Sequence, residues 1–354
     1  VWPLTDLQEA DLMCHYVDEV ASCLDLCDKE RHFALVVPCR TAMCPLLLNA
    51  IFAVSARHIC RVANGTKYLA ERYYDECLNE LIPLLSDSAS VQDENLLAAT
   101  IILRFYEEME SPTSSPGLQS HHLTGAQAFI SAREGNAHGS GLGQAAFWVG
   151  LRMELFFAIS NSCPVLSTID LSAIECSLDP ADDCTWANRM VRHCAEALRY
   201  CFSDGTHQVA DYHQMVQYCT EWMKHKPWSF TPLYYRAPDS ENSFPIVRVL
   251  SDAVGTGLAH YHLTRILLRA HDPITPTLGS SQRRALQQAD DEIIAHVRAV
   301  CGIAESNTKT PPYYVMACMA ITMAGNRFRD RRDQEELLRV MRRGEELAWP
   351  TMTA

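Results

Sequence analysis

The chain has 354 residues, 48% of them hydrophobic and 21% charged, which is the composition of a folded protein with a sizeable core and excludes general disorder. Against 43 Asp and Glu stand only 30 Lys and Arg, and the resulting charge of −13 opposes unaided binding to a polyanion, because such binding depends on basic groups displacing phosphate counterions. Fifteen cysteines, an odd number spread through helical patterns, read as reduced thiols packed as small hydrophobes and place the chain in a reducing compartment.

No uninterrupted apolar run reaches the ~20 residues of a membrane-crossing helix. The longest are Pro45 to Ala56 and the run from Ala145 to Ile159, which Arg152 and Glu154 break, so no membrane partner is expected. No secretory leader stands at Val1, and the missing initiator Met is what a trimmed or partial chain would show.

The first helix is predicted from a capping box, Thr5 to Gln8, with Met13, Tyr16, Val17, Val20 and Leu24 inward. A second starts at Pro45 and stops at Asn64-Gly65; it is apolar on every side from Leu46 to Val54, so it is expected at the centre. Thr66 caps a third, with Ala70, Tyr73, Cys77 and Leu81 inward, and Asp93 a fourth, with Leu97, Ile101 and Phe105 inward. A Ser/Pro stretch, Ser111 to Ser120, and a glycine-rich one, Gly135 to Gly143, read as surface loops around a helix at His122 to Arg133.

Gln144 to Ser160 forms an apolar helix, and Asp183 is expected to cap one with Ala187, Val191, Cys194, Leu198 and Cys201 inward, ending at Asp204-Gly205. Thr206 opens the next, with Val209, Tyr212, Val216, Cys219 and Met223 inward. Four prolines between Pro227 and Pro245 exclude a regular helix there and predict an ordered, aromatic-rich strap. Helical patterns follow at about 246–270, 281–301, 313–325 and 333–348, and no period-two run is convincing. The expectation is an all-α protein, a single large multi-helical domain of about a dozen helices spanning 1–354.

Catalytic and metal motifs are absent: no His-Glu-x-x-His, no Gly-x-Ser-x-Gly, no phosphate-binding or dinucleotide-binding glycine loop, and no closely spaced Cys-x-x-Cys pairs of a zinc cluster. Cys23 and Cys27 are read as core residues. Asp179, Asp182 and Asp183 read as negative charge before a helix start, and Asp290, Asp291 and Glu292 as an exposed face with a Glu292–His296 pair. The basic clusters Arg327 to Arg332 and Arg339 to Arg343 are interleaved with acids and read as solvated helix faces. No cofactor is implied.

Polar groups inside apolar helices stand out: Arg152 and Glu154 in one, His260, His262 and Arg265 in another. They either fix helix packing through internal pairs or line a pocket in which Trp148, Arg152, His260, Tyr261, His262 and Arg265 orient a polar effector against aromatic walls.

Several stretches in order resemble the fungal-specific transcription factor domain that accompanies zinc-cluster DNA-binding modules. They are Cys27 to Phe33 leading to Leu48-Asn-Ala-Ile-Phe-Ala-Val-Ser-Ala-Arg-His58, Ala146-Phe-Trp-Val-Gly-Leu-Arg-Met-Glu-Leu155, Trp186 to Val191, Phe230-Thr-Pro-Leu-Tyr-Tyr-Arg236, His260 to Leu268, Ala324 to Asp330 and Trp349-Pro350. The resemblance implies a non-catalytic regulatory region of a nuclear gene regulator, sensing a small molecule, contacting the transcription machinery or self-associating, with no direct DNA binding by this segment. The alternative is a stand-alone protein of the same fold recruited as a pocket-based isomerase or cyclase in specialised metabolism. A zinc cluster is expected upstream of Val1 in the first case and none in the second.

Overall fold

Side chains three and four positions apart share one face of a helix, and along this chain those positions are apolar almost throughout, so helices packing on helices bury them. The computed structural model describes residues 2–63, 67–85, 93–109, 141–166, 169–203, 208–240, 242–275 and 279–347. The expected features at Asn64-Gly65, Thr66, Ser111 to Ser120, His122 to Arg133, Asp204 to Thr206 and Trp349-Pro350, and most of Gly135 to Gly143, lie outside them.

The order is α1 (Leu7–His15), α2 (Ala21–Leu24), α3 (His32–Arg40), α4 (Pro45–Ala63), α5 (Lys67–Leu85), α6 (Glu94–Glu108), α7 (Leu142–Asn161), α8 (Asp183–Phe202) and α9 (Val209–His225). Strands β1 (Tyr234–Arg236) and β2 (Ile246–Arg248) follow, then α10 (Asp252–Ala270), α11 (Gly279–Ser306), α12 (Pro312–Ala324) and α13 (Arg331–Glu346). The all-α reading holds: the two strands form one antiparallel ribbon with Tyr235 opposite Val247, three residues long on each side and too short to leave a periodic signal. The residues group into two compact units, the first built mainly from 1–151 and the second mainly from 152–344.

In the first unit α4 is central, as its all-round apolar sequence predicts; α1, α5 and α6 pack on it. Ala70, Tyr73, Cys77 and Leu81 of α5 and Leu97, Ile101 and Phe105 of α6 are buried as expected, and Asp93 caps α6 by accepting from the Asn95 N–H at 2.8 Å. At α1 the cap is Asp6, one residue after the expected Thr5, because its carboxylate accepts from the Gln8 N–H at 2.8 Å. A π-helical turn, Tyr16–Val20, then carries Tyr16 and Val20 inward. The buried Asp25 carboxylate accepts from the Phe33 and Ala34 N–H groups at 3.0 and 2.9 Å, satisfying first-turn donors of α3, and burial lifts its pKa to about 6.

The second unit is built around α10, on which α8, α9, α11 and α12 all pack. Its start is set by Ser251, whose hydroxyl accepts from the Val254 N–H at 3.4 Å, so residues 246–248 are free to pair as β2 and the expected start near 246 is corrected. At α8 the cap is likewise Asp182, accepting from the Thr185 N–H at 2.8 Å, and Asp183 becomes the first helical residue. The α8 positions expected inward are all buried. On α9 the inward arc is rotated: Tyr212, Cys219 and Trp222 are buried while Val209 is exposed, because the large indole commands the interior in place of Met223.

By length and composition α4 and α7 are apolar enough to cross a membrane, a count the uninterrupted-run criterion missed, and their most apolar windows are 67% and 72% buried inside the fold. The strap after α9 is ordered, with Phe230 and Phe244 buried. It is held to α11 closely enough that a Cβ added at Gly302 would fall inside van der Waals contact with the Pro245 carbonyl oxygen. Gly302→Ala should therefore destabilise the protein by about 1–3 kcal/mol, the usual cost of overpacking. A denaturant midpoint unchanged by this substitution would refute the close approach.

Candidate functional site

Histidine, arginine and tyrosine side chains on a helix surrounded by four others cannot all reach water, so each must be neutral or find a partner. On α10 this applies to His260, Tyr261, His262, Arg265 and Arg269. His260 is 2% exposed and its Nδ1 lies 2.8 Å from the Thr256 carbonyl oxygen. Burial, reinforced by the positive charge of Arg152, holds its pKa down at about 4, although the Thr256 hydrogen bond acts the other way.

His262 reaches across to α11, where its Nδ1 lies 2.8 Å from His296 Nδ1 with the rings tilted at 48°. Burial, the neighbouring His296 and Arg265 together push His262 down to about 3, and burial with Arg265 pushes His296 to about 4. The pair is thus a neutral imidazole–imidazole hydrogen bond at pH 7, one ring donating and the other accepting. The expected exposed Glu292–His296 pair is corrected: His296 turns inward to His262, and Glu292 instead takes Arg269 at 2.8 Å. Asp290 pairs with Arg327 and Asp291 accepts from Gln287 at 3.0 Å, so each acid of that group has its own partner.

An aromatic stack stands beside the pair. Tyr261 lies parallel to Trp222 at 5.9 Å and 15°, and Trp222 lies over Trp186 at 5.9 Å and 24°. The Trp222 N–H donates to the Trp186 carbonyl oxygen at 3.1 Å, fixing α9 against α8. Phe230 closes the stack edge-on at 5.5 Å. Arg189 lies over the Trp186 ring at 5.4 Å while it pairs with Glu175 at 3.0 Å.

The structure therefore brings His260, Tyr261, His262 and Arg265 together on α10, and sets Arg152 within electrostatic reach of His260. Glu154, 1% exposed, accepts from the Leu166 N–H at 3.4 Å. Trp148 falls in the first unit, edge-on to Phe147 at 5.5 Å. Trp222, Trp186, Cys219 and His296 complete the cluster. Only the three-residue step from Cys219 to Trp222 on one helix face could have pointed to the indole in advance.

The first unit holds a second histidine pair, His15 Nε2 to His58 Nδ1 at 2.9 Å, with His58 lowered to about 4 by burial and by His15. Among the described residues no group of three or more His, Cys, Asp or Glu has the arrangement of a metal site. Cys27 is buried, whereas Cys23 is only half-buried.

Residues 11–166 match the family model of the fungal specific transcription factor domain, as the sequence resemblance implied. The α10 cluster lies beyond the matched residues, which include Trp148 and Arg152. No curated protein and no solved structure matches the chain.

Because His260, His262 and His296 are held below the ordinary 6.5, the unfolded chain takes up protons before the folded one as pH falls. Their contribution is complete above pH 6.5 and is lost between 6.5 and about 3; His58, lowered to about 4, adds in the same sense, and buried Asp25, lifted to about 6, works in the opposite one. The urea midpoint should fall between pH 7 and pH 5, and fall less steeply in the double variant His262→Gln with His296→Gln. Equal pH slopes in the two proteins would contradict the neutral pair.

Proposed function

We propose that this chain is a non-catalytic regulatory region of a fungal-type transcription factor, working in the nucleus and reading a small-molecule effector through the α10 cluster. The family match over residues 11–166 carries the regulatory part of this reading. The effector part is supported by a concentration of neutral histidine, tyrosine and cationic arginine around one central helix. Packing alone is achieved at lower cost by apolar residues of similar volume.

Charge supports assigning DNA contact to another part of such a regulator. The chain carries −13, and its C-terminal arginines face acids: Arg339 meets Glu336 at 2.6 Å and Glu305 at 3.1 Å, and Arg331 meets Glu335 at 2.9 Å. Sequence reading needs phosphate contacts for positioning and unoccupied side chains at base edges.

Residues 1–354 fused to an unrelated DNA-binding domain should change the output of a cognate reporter relative to that domain alone, in either direction, and the fusion should accumulate in nuclei. Reporter output equal to that of the DNA-binding domain alone would contradict a regulatory role. In mobility-shift titrations against a randomised duplex library at physiological salt, the unfused chain should enrich no sequence; sub-micromolar enrichment of one site would overturn the division of labour.

A further inference from the structure

A strand at the edge of a sheet presents a row of backbone donors and acceptors, and most folds cover them. The ribbon of β1 and β2 has one edge covered and one open. On the β2 side the Val247 N–H donates to the Ser306 hydroxyl at 2.9 Å, and the Val247 carbonyl oxygen accepts from the Asn307 side-chain amide at 2.8 Å. The Val249 N–H donates to Asn307 Oδ1 at 3.2 Å, so the end of α11 stands where a third strand would. Val247 therefore turns its backbone groups away from β1. Tyr235 stands opposite Val247, and by the alternation of an antiparallel pair its own N–H and carbonyl point away from β2. Among the described residues they take no partner. Leu233, Tyr234 and Tyr235 are 65, 52 and 61% exposed, so no other element covers this edge.

The side chains give this edge a chemistry. Register sets Tyr234 opposite Arg248 and Arg236 opposite Ile246, so Tyr234, Arg236 and Arg248 share one face of the ribbon, and all three are exposed. Neither strand contains an acid. Arg248 donates to the Ser306 carbonyl oxygen and, among the described residues, has no carboxylate within ion-pair distance. Arg236 has Asp239 at 3.9 Å, the outer limit of an ion pair and one between two half-exposed groups, which contributes little. The other face of the ribbon carries Tyr235 beside Val247 and is apolar. In a chain of charge −13, the open edge is thus locally cationic on one face and aromatic on the other.

These features select the occupant. Unpaired N–H and carbonyl groups on a strand edge are matched by another extended peptide, whereas a nucleic acid has no such backbone to offer. A strand laid along β1 projects alternate side chains to the two faces, so acids at every second position meet Arg236 and Arg248 while the residues between them lie on the Tyr235 side. A second copy of this chain suits the edge less well. It brings the same two arginines and a further charge of −13, so like charges meet both locally and overall.

We propose that the open edge of β1 takes up an extended segment of a partner protein, in which acidic and apolar residues alternate, as a third strand beside Tyr235. This goes beyond the effector reading and does not rest on it, since no residue of the α10 cluster takes part. The two fail separately: the reporter fusion tests regulation whether or not a peptide binds, and direct titration tests the edge whether or not transcription changes.

The probe is a short blocked peptide of alternating Glu and Val, labelled with fluorescein and titrated into the full chain by anisotropy. A Lys/Val peptide reverses the charge. Two further versions of the Glu/Val peptide are N-methylated, one at the Val amides and one at the Glu amides, so that each keeps its charge and loses the donors of one edge. The Glu/Val peptide should bind saturably, and at least about tenfold more tightly than the Lys/Val peptide. Only one edge of the peptide can face β1, so one methylated version should lose at least about tenfold in affinity and the other should keep it. Arg236→Glu should weaken the Glu/Val peptide and strengthen the Lys/Val peptide. Tyr235→Pro removes the outward N–H at a position where an edge strand tolerates proline, and should abolish binding with circular dichroism unchanged. Should that variant not fold, the two methylated peptides on the native chain decide. Absence of saturable binding, equal affinity for the Glu/Val and Lys/Val peptides, equal effects of the two methylations, or unchanged affinity in Arg236→Glu or in folded Tyr235→Pro would each overturn the proposal. So would a dimer in sedimentation velocity that Tyr235→Pro dissolves, since a second copy would then be the occupant.

Discussion

The constraint on which the second unit depends is that its central helix, α10, is buried on most of its circumference and yet is not apolar. Gly255 and Gly257 let neighbours come close: a Cβ at Gly255 would meet the Tyr313 ring, and one at Gly257 would meet Phe230 and the Ala187 backbone. Those approaches remove the water that polar side chains on the following turns would otherwise use. His260 then relies on its own helix backbone, His262 on a second imidazole, Arg269 on two carboxylates and Arg265 on the Tyr261 hydroxyl. Each solution is set by the groups that α8, α9, α11 or α12 offers at that height.

The first unit meets the same constraint on α4 with similar chemistry. Arg57, 2% exposed, lies over the Tyr106 ring at 5.6 Å, and His58 at the next position pairs with His15. In both units a histidine on the central helix is kept neutral by burial and by a hydrogen-bonded histidine on a neighbouring helix, so neither pair adds charge to a chain already at −13. The surroundings of the two pairs differ: in the second unit, an aromatic stack and a cation with no carboxylate stand next to the imidazoles.

Helix spacing made most of the architecture legible, because buried positions such as Ala187, Val191, Cys194, Leu198 and Cys201 repeat at three and four residues whatever their partners are. Caps were legible to within one residue, since adjacent Thr5 and Asp6, or Asp182 and Asp183, are both competent acceptors and only the local φ and ψ choose between them. The polar residues of α10 were visible as anomalies within an apolar pattern. Their partners were not: His296 lies 34 residues from His262, and the pattern around it equally suited an exposed turn with Glu292. The same limit hid Trp222, whose role depends on which α9 face meets Trp186. The family match reaches only to residue 166, so the α10 cluster stands on its geometry alone.

The central claim is that the second unit keeps the imidazoles on and against α10 neutral by burying them. Nitrogen-15 chemical shifts of the histidine rings, followed by NMR as pH is lowered, read this most directly. At pH 5 the resonances of His260, His262 and His296 should retain neutral-imidazole shifts. Titration of His262 and His296 near the ordinary 6.5 would contradict the account.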